Sequence, residues 1–366
     1  MIERGPRFME FWNRRYSQNE NRLLLIAGLG FDPRATQVLR ALIESRPACT
    51  LDVRLLHYDE GPDSVSQQYA AAVAGNRQMF EQLIREHGGA LQNVIVPVVE
   101  DNRRVGGRRI GALAVAAGFH GYADVMVDIS ALPRTLYFPL LRYLLQLSDK
   151  RHLAGSEEGT APANLHVGLF EAPALDAQIF EELTERAEYI AGFGGTVDLQ
   201  QDEDMPRVWA PVLGEGQIEA LKLIEQKISI LENAPEICPV LPFPAVNPRR
   251  GDQLLVEYRS LFDSWRVDLR NIIYASEHNP FDVYRQLCRL HDQYSRALGP
   301  LRGAKMIVSA HSSKLLSLGA LLAAYDRPEI AVAHVEAQGY HVGADLAAPL
   351  DGELCSIWIA GEPYDA

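Results

Sequence analysis

The sequence predicts an α/β fold: a mainly parallel sheet with helices on both faces, followed by a second α/β unit. Three observations predict it. Short β-rich runs alternate with longer helical patterns, the strand runs are apolar nearly throughout, and the alternation resumes after a polar break. Alternation of this kind marks right-handed crossover connections, and strands covered on both faces lose the polar positions of a half-exposed sheet.

The elements follow in order. The polar N-terminus, residues 1–22, lacks an apolar signal core. Strand runs are RLLLIAG (22–28), LDVRLLHY (51–58), NVIVPVV (93–99), DVMVDIS (124–130) and NLHVGLF (164–170). Between them RATQVLRALIES, SQQYAAAVAGNRQMFEQLIREH, GRRIGALAVAAGF and PRTLYFPLLRYLLQL carry apolar residues at helical spacing. The stretch 148–164 is polar with Gly and Pro and reads as an exposed loop. A second break, QQDEDMPRVWAPVLGEG (200–216), sets the expected division into a Rossmann-like domain, 1–200, and a second α/β unit, 201–366.

That second unit opens with a helix near 217–232 and a proline-rich insertion, APEICPVLPFPAVNPRRGD, expected to be irregular. Helical QLLVEYRSLFDSWR, strand RNIIYAS, helical PFDVYRQLCRLHDQYSRAL, strand KMIVSA, helical SSKLLSLGALLAAY, strand EIAVAHV and an apolar run LCSIWIAG complete it.

Composition narrows the function. Hydrophobic residues make up 47% and charged residues 23%, as in a soluble protein with a substantial core, and no segment reaches the roughly 20 apolar residues that span a bilayer. A formal net charge of -13 argues against duplex nucleic acid as a partner. The densest basic stretch is RRVGGRR, with Arg103, Arg104, Arg108 and Arg109. The four cysteines, Cys49, Cys238, Cys288 and Cys355, form no CxxC pair, so a disulfide framework and a zinc knuckle are not expected and a reduced cytoplasmic setting is. Neither HxH nor HExxH occurs, no metal site is assigned, and no cofactor is indicated.

Three turns at strand ends carry functional residue types. In IAGLGFDPRAT (26–36), Gly28 and Gly30 allow close backbone approach of a ligand, and Arg34 follows at the start of the next helix. Pro33 stands where a dinucleotide fingerprint has its third glycine, and Asp32 also suits an N-cap. In VDISALPRTL (127–136), Asp128, Ser130 and Arg134 lie where open parallel sheets bind ligands; alternatively Ser130 caps a helix and Asp128 pairs with an arginine. In MIVSAHSSKLLSLGALLAAY (306–325), Ser309, His311, Ser313 and Lys314 suit a phosphate or carboxylate, while Ser312 or Ser313 suits an N-cap. Lys314 in a first helical turn opposes the helix dipole unless an anion lies near. The second and third turns share one layout: a β-branched strand, a polar turn with serine and a basic residue, then an apolar helix.

The pairing of GLGFDPR with DISALPRTLYFPLL resembles the layout of CARF domains, Rossmann-like sensors of CRISPR-associated cyclic oligoadenylates. The resemblance spans about the first 150 residues. Asp128, Ser130 and Arg134 take the acidic, hydroxyl and basic places of that family's second turn, D-x-[ST]-G-G-x-[KR]; its glycines are replaced here by Ala131 and by Leu132 or Pro133. The resemblance implies a nucleotide sensor in a bacterial defence or regulatory system. A hydrolase or transferase acting on a nucleotide or sugar phosphate is the enzymatic alternative, with Asp128, Glu257 or His311 as general acid or base. A non-catalytic subunit of a larger assembly is the third. Expected partners are a nucleotide or another anionic small molecule and, for a sensor, a second copy or a protein partner.

Overall fold

The computed structural model describes residues 1–17, 22–45, 49–61, 64–101, 103–151, 159–195, 205–229, 235–301, 303–343 and 350–365. Part of the loop expected at 148–164 and part of the break expected at 200–216 lie outside the described residues. The strands used below are β1 (Ile2–Arg4), β2 (Arg22–Leu29), β3 (Leu51–Asp59), β4 (Leu91–Pro97), β5 (Tyr122–Asp128), β6 (Leu165–Glu171), β7 (Ile179–Gly194), β8 (Arg207–Leu213), β9 (Val240–Pro242), β10 (Ile273–Ala275), β11 (Lys305–His311), β12 (Ala331–Val342) and β13 (Glu353–Ala360). The helices are α1 (Pro6–Tyr16), α2 (Gln37–Ser45), α3 (Ala70–His87), α4 (Gly106–Val115), α5 (Arg134–Lys150), α6 (Ile218–Ser229), α7 (Arg250–Glu257), α8 (Arg259–Trp265), α9 (Pro280–Ala297) and α10 (Lys314–Asp326).

Two compact units result, one of residues 1–182 with 338–366 and one of residues 183–337. The sequence places a single division near residue 200. The difference has a physical origin: β13, the apolar run near the C-terminus, pairs antiparallel with β6 of the first sheet, and β1 pairs antiparallel with β13. Such a return depends on pairing across almost the whole chain and leaves no local signal.

In the first unit the sheet order is β1-β13-β6-β5-β2-β3-β4. The strands β4, β3, β2, β5 and β6 are mutually parallel. The parallel core starts at β2, moves outward to β3 and β4, then crosses back to β5 on the other side of β2. In the second unit the order is β10-β9-β8-β11-β12-β7, and β8 is parallel to both β9 and β11. There the chain starts at β8, moves outward to β9 and β10, and returns to β11. The two units therefore share one internal topology, and β5 to α5 occupies the same position as β11 to α10. The shared layout read in the sequence falls on these equivalent elements.

Each unit has its own core. Trp12, Leu25, Leu42, Phe80 and Met126 are fully buried in the first, and Trp209, Ile224, Leu241 and Tyr258 in the second. Several local expectations change. The helix expected from Arg34 begins as a 3-10 turn, Pro33–Thr36, because Asp32 caps it through Arg34 N–H and Pro33 fixes its start. QLLVEYRSLFDSWR forms two helices, α7 and α8, with Tyr258 between them. The proline-rich insertion holds the short strands Glu236–Ile237 and β9, and the break at 200–216 holds β8. The polar N-terminus forms β1 and α1, whose Phe8, Phe11, Trp12 and Tyr16 are buried.

Candidate functional site

Open parallel sheets bind ligands beyond the carboxyl ends of their strands, at the point where strand order reverses. In the first unit that point lies between β2 and β5. The turn after β2 carries Gly28 and Gly30, as expected, but the space beside them is filled by the protein. A Cβ at Gly28 would meet Leu132 Cδ2 at 2.6 Å, and one at Gly30 would collide with the Tyr58 hydroxyl. Tyr58, at the end of β3, donates to the Ala131 carbonyl at 3.0 Å and so locks the two turns together. Gly30→Ala is therefore expected to lower stability by about 1–3 kcal/mol, and Tyr58→Phe in the same chain to recover part of that loss. Thermal unfolding of the single and double variants checks the coupling; additive losses would sink it.

Arg34 is buried and held by two carboxylates. Its Nε donates to both Asp32 oxygens at 3.0 Å, and Nη1 donates to Asp176 Oδ1 at 2.5 Å. These carboxylates outweigh the effect of burial and raise its pKa. Asp128 is likewise buried, its Oδ1 accepting from Ser130 N–H at 2.8 Å and from Ser130 Oγ at 2.5 Å. Ser130 Oγ in turn accepts from Phe170 N–H at 2.8 Å, tying the turn to the end of β6. Arg134 opens α5 and lies 3.4 Å from Glu181. Its pKa is raised, burial being outweighed by Glu181 and further anionic groups. The residues predicted for the first and second turns thus gather at one sheet edge, with their side chains engaged in holding it.

The second unit's reversal lies between β8 and β11. After β8 the chain reads Gly214, Glu215, Gly216; after β11 it reads Ser312, Ser313, Lys314. The two turns are in close contact: a Cβ at Gly214 would stand 2.6 Å from the His311 carbonyl oxygen and 2.8 Å from Ser312 Cα. Ser312 Oγ donates to the Leu213 carbonyl at 2.9 Å. The end of α7, between β9 and β10, supports the first turn: Glu257 Oε1 accepts from Gly216 N–H at 2.7 Å, while Tyr258, just past the helix, donates to the Gly214 carbonyl at 2.5 Å and accepts from Gln217 N–H at 3.0 Å. Arg250 pairs with Glu277 and lies 3.5 Å from Glu215.

On the other side of the reversal, Ser313 caps α10, its Oγ accepting from Leu316 N–H at 3.3 Å. Lys314 takes the first helical position. His311 is buried, its ring stacked on His334 with centroids 4.8 Å apart. Ser309 points into the core and accepts from Trp209 Nε1 at 3.1 Å. The structure thus brings His311, Ser313 and Lys314 to one strand end, sets Ser309 apart from them, and adds Tyr258 together with Gly214 and Gly216, the two glycines having been passed over in the sequence reading. The signal for the glycines was present as a second GxG after an apolar strand.

Among the described residues, Glu171, Glu353 and Cys355 place potential metal-ligand atoms within 4.8 Å of one another. Arg4 is 3.0 Å from Glu171 and also pairs with Glu353, so this group is an ion-pair network. No described helix is long and apolar enough to cross a membrane.

Fold and strand-end geometry define a two-unit α/β protein in which each unit repeats a doubly wound, mainly parallel core. No protein-family model matches the chain, and no curated protein matches it. Among solved structures it is similar to a functionally unknown protein from Pseudomonas aeruginosa PAO1, at 11% identity over 86% of this chain and 92% of that one, TM-score 0.25. It is also similar to a universal stress protein from Archaeoglobus fulgidus DSM 4304, at 11% identity over 85% and 94%, TM-score 0.23.

Proposed function

We propose that this protein binds a nucleotide or another phosphorylated small molecule at the carboxyl edge of its second sheet, between the turns that follow β8 and β11. One observation carries the reading: strand order reverses there, with a glycine turn on one side and a serine-capped helix start bearing Lys314 on the other. Gly216, beside which a Cβ would meet nothing within 4 Å, leaves the backbone open to a ligand, while Gly214 lets the two turns approach each other; helix N–H groups and the lysine complement a phosphate, and Glu215 at the same turn suits a sugar hydroxyl. In the first unit Tyr58 and Leu132 fill the space beside the turn glycines and Asp32 and Asp176 hold Arg34, so that turn does not offer its backbone to a phosphate.

Binding without bond cleavage is favoured, in keeping with the sensor implied by the CARF resemblance. Asp128 and Glu257, two of the acid or base candidates, hold backbone N–H groups. His311 is the third, at the strand end.

Thermal unfolding with mononucleotides, cyclic oligonucleotides and sugar phosphates tests the reading. A ligand at about 100 times its Kd adds roughly 2.7 kcal/mol. Lys314→Ala is expected to weaken that ligand about tenfold or more, as loss of a charge-assisted contact does. Stabilisation that survives Lys314→Ala unchanged, or none from any compound, would count against the site.

A further inference from the structure

A group of aromatic and acidic side chains in the first unit has no part in the site proposed above. The end of β12, residues 338–342, packs on the turn after β3: Val342 N–H donates to Tyr69 Oη at 2.8 Å, and a Cβ at Gly339 would collide with Val65. This places three rings together, Phe31 with centroids 4.6 Å from Tyr69 and 6.2 Å from Tyr340. Each of the three is only partly buried, so the rings do not form a sealed core.

Beside them stands Glu181. Arg134 holds its Oε1 at 3.4 Å, while its Oε2 is buried and meets no hydrogen-bond donor among the described residues. A buried carboxylate oxygen without a donor is costly and calls for one from outside the protein. The Tyr340 phenol lies within electrostatic reach of Glu181, Glu60, Tyr58 and Arg134, and burial followed by those acidic groups pushes its pKa well up, so it stays a neutral hydroxyl. The surroundings carry Glu60, Asp176 and Glu181 against Arg134 and the already paired Arg34. That balance disfavours phosphate. It suits a flat, neutral ring that bears an N–H donor.

We propose that Phe31, Tyr69 and Tyr340 form a stacking surface for an amino-bearing heteroaromatic base, with Glu181 Oε2 accepting from the exocyclic amine. Arg134 fixes the carboxylate by holding its other oxygen. The rings supply stacking that any flat base can use, and the carboxylate supplies selection for the amine. This site lies in the first unit and stands apart from the phosphate reading, so either can fail without the other.

Adenosine, which has no phosphate, is the probe, and purine riboside, which lacks the 6-amino group, is its control. Isothermal titration of the full chain should show adenosine binding about tenfold tighter than purine riboside, the worth of one hydrogen bond to a charged acceptor. Glu181→Gln should abolish that preference, because the amide keeps its oxygen toward Arg134 and turns an N–H toward the base. Phe31→Ala should weaken both nucleosides alike. Absence of adenosine binding at millimolar concentration, or a preference for the amine that persists in Glu181→Gln, overturns the proposal; an unchanged melting temperature of each variant without ligand excludes misfolding as the cause.

Discussion

Asp124→Ala is expected to lower the stability of the first unit by about 3–5 kcal/mol, the range for removing one partner from a buried ionic network. Asp124 lies on β5 with almost no exposure and gathers three donors: Arg15 Nε at 2.9 Å, the Tyr16 hydroxyl, and His166 Nε2 at 3.0 Å. Arg15 and Tyr16 belong to α1 and His166 to β6, so one carboxylate ties the first helix to two central strands. Without it the His166 imidazole remains in an apolar setting bounded by Phe11, Trp12 and Trp358, and Arg15 keeps only the more exposed Glu362 at 3.0 Å. Urea unfolding followed by tryptophan fluorescence reads the loss, and a decrease under 1 kcal/mol would show that the network contributes little.

The same network sets a pH dependence. Burial lowers the pKa of His166 from its ordinary 6.5, and the hydrogen bond to Asp124 only partly opposes this. The unfolded chain therefore takes up a proton that the folded chain refuses, and stability falls as pH drops below about 6.5. Asp124 itself, where donors from His166 and Arg15 outweigh burial, is held below its ordinary 3.8, so its contribution is lost only at more acid pH. His57 shifts in the same direction as His166, through burial and Arg77. The difference between the wild-type and His166→Gln stability curves isolates His166, and should flatten the upper of the two acid steps.

What the sequence makes legible follows distance along the chain. Ser313 as the cap of α10 and Asp32 as the cap after β2 are local features, written in a few residues. Tyr58 filling the space beside Gly30, or Asp176 taking up Arg34, joins elements whose adjacency exists only after the sheet has formed. β8 was hidden for another reason. It is a central strand, yet its sequence RVWAPVL follows an acidic run and contains Pro211, which has no N–H for a ladder and argues against a central strand. The Gly214 and Gly216 turn that supports the proposed site was read as part of a linker for the same reason. Lys314, by contrast, stands out in the sequence because a lysine at a helix start runs against the dipole, and the structure sets it at the strand end where order reverses.

Trp209→Ala carries the second large effect, about 3–5 kcal/mol for deleting a fully buried indole from the second core. Trp209 packs against Trp265 in a tilted arrangement, with centroids 4.8 Å apart, and its Nε1 donates to Ser309. That bond decides how Ser309 should behave. Ser309→Ala leaves a buried N–H without an acceptor and is expected to lower stability by about 1–3 kcal/mol, whereas in a Trp209→Phe background the same change removes no partner and should cost less. Ligand stabilisation should persist in Ser309→Ala. The opposite pattern, full stability with ligand binding lost, would turn Ser309 from a core residue of β11 into part of the site at its end.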